Sequence, residues 1–167
     1  MNCVSMIDHE TRVEIHEILA RFCHYIVDGD ATLWAGLFTP TGTLTCDGQT
    51  CAQGTAQLTA AAERIRLGGT SMSRHVITSV MIDAGPSRRE ILVRASGLVI
   101  DMNLEGLSEF YDYRFHVRKL GSWRIDSLEA HRIGKDTDTP FGIFGNSTQN
   151  VARPQRTDDR PASHLVQ

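Results

Sequence analysis

The chain has 167 residues, of which 41% are hydrophobic and 22% charged, and its formal net charge is -3. That length suits one domain with a real core, and the composition is typical of a globular protein. Without a block of Lys or Arg, we expect neither nucleic-acid nor membrane partners. No apolar run reaches the roughly 18 residues of a membrane span, and the first ten residues lack a signal-peptide pattern, so we expect a cytoplasmic protein.

Two helices are predicted near the N-terminus. Asp8 is suited to cap a helix over residues 10–27, in which apolar residues recur at helical spacing. Asp28 and the glycine after it end this helix, because glycine readily adopts the left-handed conformation of a helix terminus. Asp30 then caps a second, short helix whose buried stripe includes Trp34.

A short hairpin over residues 43–53 follows, and an alanine-rich segment over 55–67 predicts a third helix. Beyond it, apolar residues alternate with polar ones in long strand-like segments. These predicted strands cover residues 74–83, 90–102, 107–118 and 123–132. Helices first and long strands afterwards indicate an α+β fold, with three N-terminal helices packed on a curved antiparallel sheet.

The alternation also predicts which strand residues face the helices. Polar side chains are unusually frequent on that face, so they either line a cavity open to water or bond to one another. The polar and aromatic residues expected there are His75, Ser79, Glu109, Tyr111, Tyr113, Glu129 and His131.

Three stretches together resemble the SnoaL-like branch of the nuclear-transport-factor-2-like superfamily. They are the helix–Asp-Gly-Asp–helix order with LWAGLF, the segment SRHVITSV, and the pair FYDYRFHV and GSWRID. The resemblance extends from about Asp8 to Ile133, and we therefore expect residues 1–133 to form one domain. Residues 134–167 are expected to form a polar tail with a short apolar segment at 140–144. It implies a cone-shaped α+β barrel with an apolar pocket, commonly a homodimer packed through the sheet.

Members of this branch include polyketide cyclases, dehydratases, isomerases and dehydrohalogenases that use no cofactor. In the dehydratase-like members, an Asp at the end of the first helix works with a His at the start of a long strand, and a Tyr lies earlier in the helix. The resemblance places that histidine at His75. Counting back from the second helix, the Asp position falls on Val27 and the Tyr position on Phe22, with Asp28 one residue further on.

Three alternatives are open for the acid that would accompany His75. The first helix could end early and bring Asp28 into the pocket mouth. The carboxylate could come from the sheet instead, as Glu109 or Glu129. In the third alternative His75 acts alone, or binds a ligand without chemistry.

The first hypothesis is therefore a cofactor-independent lyase, isomerase or cyclase acting on a small hydrophobic, oxygenated substrate such as a polyketide or terpenoid intermediate. Its catalytic residues would be His75, Asp28 and Glu129, and no metal site is expected. The second hypothesis is a non-catalytic small-molecule-binding or assembly protein on the same fold. The residues expected to contact the small molecule are Phe22, Trp34, Ser79, Glu109, Tyr111, Tyr113 and His131.

Overall fold

The computed structural model describes residues 7–68, 73–101 and 108–133, and these residues form three helices and a six-stranded sheet. The helices are α1 (His9–Asp28), α2 (Ala31–Ala35) and α3 (Gly54–Gly68). The strands are β1 (Phe38–Cys46), β2 (Gln49–Gln53), β3 (Ser73–Ala84), β4 (Glu90–Asp101), β5 (Ser108–Leu120) and β6 (Ser122–Ile133). The predicted α+β class, with helices first and a curved sheet after them, is confirmed. The tail from residue 134, including the apolar segment, lies outside the described residues.

Local chemistry sets both ends of α1. The Asp8 carboxylate accepts a hydrogen bond of 2.7 Å from the Thr11 backbone N–H, which satisfies one of the free donors of the first turn. Gly29 ends the helix in the left-handed conformation, with φ of 78°. Between them one face of the helix is buried against the sheet. The buried apolar residues of that face are Ile15, Ile18, Leu19, Phe22 and Ile26.

The strand order in the sheet is β2-β1-β6-β5-β4-β3. Strands β3 to β6 form an antiparallel meander, and β1 joins it by pairing with β6. That β1–β6 pair is parallel, whereas the other neighbouring strands of the sheet pair in the antiparallel direction that the sequence predicts. The two end strands, β2 and β3, do not pair with each other, and the sheet stays open.

An aromatic cluster fills the space between the helices and the sheet. The Phe22 ring on α1 lies 5.3 Å from Trp34 on α2 and 5.7 Å from Phe115 on β5. Trp34 in turn lies 4.9 Å from Phe38 at the start of β1. The cluster therefore ties α1, α2 and the sheet together, and aromatic pairs at these distances add to the stabilisation that burial provides.

Two β-bulges change which side chains face the helices. In β3, Thr78 pairs with Ser96 and Met81 with Arg94, so two residues of β3 stand opposite one of β4. In β6, Ile125 and Ser127 pair with consecutive residues of β5, which makes the residue between them the extra one. Beyond each bulge the alternation is shifted by one position.

No helix in the described part of the chain is both long and apolar enough to cross a membrane.

Candidate functional site

His75 lies on β3 with its side chain on the face of the sheet that α1 covers. It precedes the β3 bulge, so the predicted orientation of this residue is unaffected by the bulge. Its Nδ1 atom is buried and has no hydrogen-bond partner. Burial lowers the pKa of the imidazole from 6.5 to about 4, because a charged ring would lose its hydration there. His75 is therefore neutral at pH 7 and has an unsatisfied polar atom in the interior.

A cavity of about 340 Å³ lies beside His75, between α1 and β3. Its floor is apolar and its rim carries two further imidazoles. A half-buried thiol, Cys23, also lines it, and partial burial raises the pKa of that thiol to about 11, so it stays protonated at pH 7. The lining residues are His16, Leu19, Ala20, Cys23, His24, His75, Val76, Ile77 and Val80.

Glu109 lies on the same face of the sheet as His75, in register with it two strands away. His75 pairs with Val99 of β4, and Val99 pairs with Glu109 of β5. Two strand spacings correspond to about 10 Å between the backbones. Val99 between them is 4% exposed, so this row lies in the interior. A histidine and a carboxylate thus share one interior face, with the side chain of Val99 between them, and Glu109 is not among the residues that line the cavity beside His75.

Glu109 is held by two neighbouring side chains. The Tyr111 hydroxyl donates a hydrogen bond of 2.7 Å to Glu109 Oε2, and Arg132 Nη1 lies 3.6 Å from Glu109 Oε1. Arg132 is fixed in turn, because its backbone N–H donates to Asp47 Oδ1 at 2.9 Å. Burial and the carboxylate both raise the pKa of Tyr111 above its usual value. The phenol therefore stays protonated and acts as a hydrogen-bond donor.

Tyr113 stacks on Tyr111 with the ring centroids 5.7 Å apart and the planes nearly parallel, at 4°. Its ring lies directly over Gly97 of β4, where a Cβ atom would meet Tyr113 Cε2 at 2.0 Å. Burial, with smaller contributions from Cys23 and Cys46 nearby, raises the pKa of Tyr113. The absent side chain at Gly97 is what makes room for this ring.

Asp28 stays outside the site. Helix α1 continues through Asp28, so the alternative in which the helix ends early and brings Asp28 into the pocket mouth does not hold. The Asp28 side chain is exposed and does not line the cavity. Val27, at the position to which the resemblance assigns the acid, packs against the hydrophobic core.

Glu129 and His131 lie on the opposite face of the sheet from His75, so the predicted inward orientation of both is wrong. The β6 bulge is the physical reason: beyond it Leu128 and Ala130 are buried instead. Glu129 Oε2 lies 3.7 Å from His131 Nε2 on the outer face, where both side chains are more than 40% exposed.

Ser79 is also misplaced by the prediction. It lies in the β3 bulge with φ of 52°, and its side chain is exposed. From Val80 onward the alternation is shifted, so that Val80 and Ile82 face the helices and Met81 faces outward. Serine offers no sequence signal for a left-handed conformation, so nothing in the alternating pattern indicated this shift.

Phe22 and Trp34 are buried at 1% and 0% exposure in the aromatic cluster, and the substrate-binding role of both stays a prediction. Trp34 Nε1 is buried without a hydrogen-bond partner. The sequence did not identify Arg132, because uninterrupted alternation along β6 assigned this residue to the outer face. Arg132 is separated by an even number of residues from the buried Leu128 and Ala130, so it would have been assigned to the inner face once the bulge was known.

Within residues 7–68, 73–101 and 108–133, no group of three or more His, Cys, Asp or Glu side chains could hold a metal ion.

Solved structures share this fold at low sequence identity. A variant of Rv3472, a Mycobacterium tuberculosis protein of unknown function, is 23% identical, with a TM-score of 0.65 over 72% of this chain and 70% of that one. A Novosphingobium aromaticivorans protein named provisionally as a scytalone dehydratase is 19% identical, with a TM-score of 0.63 over 74% and 84%. Aln2 from a Streptomyces species is 18% identical, with a TM-score of 0.65 over 77% and 94%.

These likenesses and the helix-on-sheet architecture define an α+β fold of the nuclear-transport-factor-2-like class. The sequence matches the SnoaL-like domain over residues 8–129, and the chain belongs to that family. None of the curated proteins matches the sequence significantly.

Proposed function

We propose that this chain is a cofactor-independent lyase, isomerase or cyclase acting on a small hydrophobic, oxygenated molecule such as a polyketide or terpenoid intermediate. One observation carries the proposal: His75 has a buried Nδ1 without a hydrogen-bond partner and lines a cavity with an apolar floor. An unsatisfied polar atom in the interior costs free energy unless a ligand or water pairs with it. Proton transfer to or from a bound molecule is the chemistry that an imidazole in such a place can perform.

In the proposed reaction His75 removes a proton from a carbon next to a carbonyl group. The electron pair of the broken C–H bond moves onto the carbonyl oxygen. The proton on the imidazolium exchanges with solvent water, and the imidazolium then delivers a proton to carbon or to a departing hydroxyl. A histidine whose pKa is about 4 in the free protein becomes protonated only where negative charge develops beside it. The forming enolate supplies that charge, so proton transfer is confined to the bound complex.

Glu109, rather than Asp28 or Glu129, is the proposed carboxylate of the site. It is the one of the three that shares an interior face and a register row with His75. The Tyr111 hydroxyl and the Arg132 guanidinium hold it in place. In this proposal Glu109 orients the oxygen-bearing end of the substrate while His75 acts on the carbon.

Hydrogen–deuterium exchange at carbon tests the proposal without knowledge of the product. The protein is incubated in D₂O with a panel of small hydroxylated aromatic and alicyclic ketones, and loss of C–H signals is followed by NMR. We expect at least one ketone to exchange faster than in buffer, and His75→Ala to reduce this rate by about 10²-fold or more. His9→Ala, which removes an exposed imidazole in the first turn of α1, serves as the matched control and should leave the rate unchanged.

A second candidate function is small-molecule binding without catalysis. Val27 and Phe22 favour it, since they put apolar side chains where the dehydratase-like members carry Asp and Tyr. In that case ketones bind, as ligand-observed NMR would show, but wild type and His75→Ala exchange carbon-bound hydrogen equally slowly. Equal exchange in the two proteins would therefore contradict the catalytic role of His75 and support the binding function.

A further inference from the structure

Four apolar side chains form a continuous row on the outer face of the sheet, opposite the face that carries His75. Val76 of β3 pairs with Leu98 of β4, Leu98 pairs with Phe110 of β5, and Phe110 pairs with Ile133 of β6. Directly paired residues of antiparallel strands point to the same side. We call these four residues the apolar row.

The apolar row is open to solvent and has a polar boundary. Val76, Phe110 and Ile133 are 43%, 54% and 50% exposed. The neighbouring row toward the middle of the sheet consists of polar residues. These residues are Thr78, Ser96, Asp112 and His131. Because scattered single apolar residues are normal on a surface and a contiguous row is not, this patch is expected to bind something apolar.

The chain itself supplies a candidate occupant close by. The described residues end at Ile133, which is the last member of the row, and the sequence continues to residue 167. Residues 140–144, Pro-Phe-Gly-Ile-Phe, carry three large apolar side chains within a polar tail. The linker 134–139 spans up to about 20 Å when extended, and the row is three strand spacings wide, about 14 Å. The segment can therefore reach every member of the row.

We propose that residues 140–144 dock on the apolar row of the same chain, with the Phe and Ile side chains covering Phe110 and Ile133. The short linker keeps the segment at high effective concentration near the row, so docking within one chain is favoured over capture of a separate partner. The tail then serves as a cover for one end of the outer face. This inference does not depend on the proposed catalytic function.

Site-specific photo-crosslinking of the full chain tests the docking. A benzophenone amino acid replaces Phe110, the protein is irradiated at low micromolar concentration, and crosslinked peptides are identified by mass spectrometry. Mixing isotopically heavy and light protein distinguishes links within one chain from links between chains. We expect links from position 110 to residues 140–144 of the same chain.

Two other outcomes would overturn the proposal. Links between heavy and light chains would show that a second copy covers the row, and an absence of links to 140–144 would show that the tail does not. The same photoreactive group at Leu120, 51% exposed at the far end of β5, is the control for random contact and should not label the segment. Phe141→Ser with Phe144→Ser should lower the yield at least tenfold, whereas Val151→Ser should preserve it.

Discussion

Burial of His75 makes the stability of the folded protein depend on pH, which an exposed histidine would not do. The folded pKa is about 4 and the unfolded value is 6.5, so between these limits the unfolded chain binds a proton that the folded chain does not. Stability therefore rises as the pH increases from 4 to 6.5 and is fully present above 6.5. For this one residue the difference is on the order of 3 kcal/mol.

We expect His75→Asn to remove this contribution. The measurement is the free energy of unfolding by urea for both proteins at pH 4, 5.5 and 7. The wild type should lose more stability than the variant as the pH falls below 6.5. If the difference between the two proteins is the same at all three pH values, the proposed depression of the His75 pKa is wrong.

Gly97 is the second position at which a single residue determines the packing of the site. A methyl group there would overlap the Tyr113 ring, which is buried and stacked on Tyr111. We expect Gly97→Ala to lower the free energy of unfolding by about 1–3 kcal/mol, because a close-packed interior accommodates an added methyl only by displacing neighbours. Ser96→Ala, on the outer face of the same strand, is the control and should change stability by less than about 0.5 kcal/mol.

At the level of elements, the bulge in β6 separates two glutamates that alternation had placed together. Glu109 shares the interior face with His75, whereas Glu129 lies on the outer face. We expect Glu109→Gln to reduce carbon–hydrogen exchange by about 10- to 100-fold, within the range for positioned acid–base groups. Glu129→Gln should leave the exchange rate within about twofold of the wild type.

The pair of variants is compared under the conditions of the His75 experiment, with circular dichroism to confirm that both fold. A large loss in Glu129→Gln with none in Glu109→Gln would reverse the assignment and place the reacting groups on the outer face.

The long strands show which features of the fold the sequence could predict and which it could not. All four long strands were predicted, because alternation over ten or more residues is a strong signal. The faces of β3 and β6 were predicted only up to their bulges, since the residue types at Ser79 and Asp126 give no sequence signal of a bulge. A single extra residue reverses every orientation after it, so His75 was placed correctly and Glu129 was not.

For the whole molecule, the resemblance indicated the correct family and fold class, because it rests on the order and spacing of several helix and strand motifs together. The parallel β1–β6 pair was not predictable from alternation, which carries no information on strand direction. The site was only partly predictable, because Val27 breaks the motif from which the acid would have been identified.

The expected homodimer, packed through the sheet, stays a prediction about the whole molecule. The outer face carries charges of both signs, with Arg94 3.4 Å from Asp83 and Arg114 opposite Glu129 in the register. Such a surface can pair with a second copy of itself about a two-fold axis. We expect sedimentation velocity at micromolar concentration to give twice the chain mass of 18.5 kDa, and Arg114→Glu to shift the protein toward the monomer. A single-chain mass in the wild type would contradict the dimer.

The junction between β1 and β6 has a consequence for the time course of folding. Thr39 and Asp126, which hydrogen bond across this junction, lie 87 positions apart in the sequence. The hairpins of the β3–β6 meander close much shorter loops and can form first, whereas the β1–β2 hairpin has no edge of the meander to join until β6 is in place. The aromatic cluster that links α1 and α2 to Phe38 is therefore expected to assemble last, so the cavity beside His75 should become competent to bind only at the end of refolding.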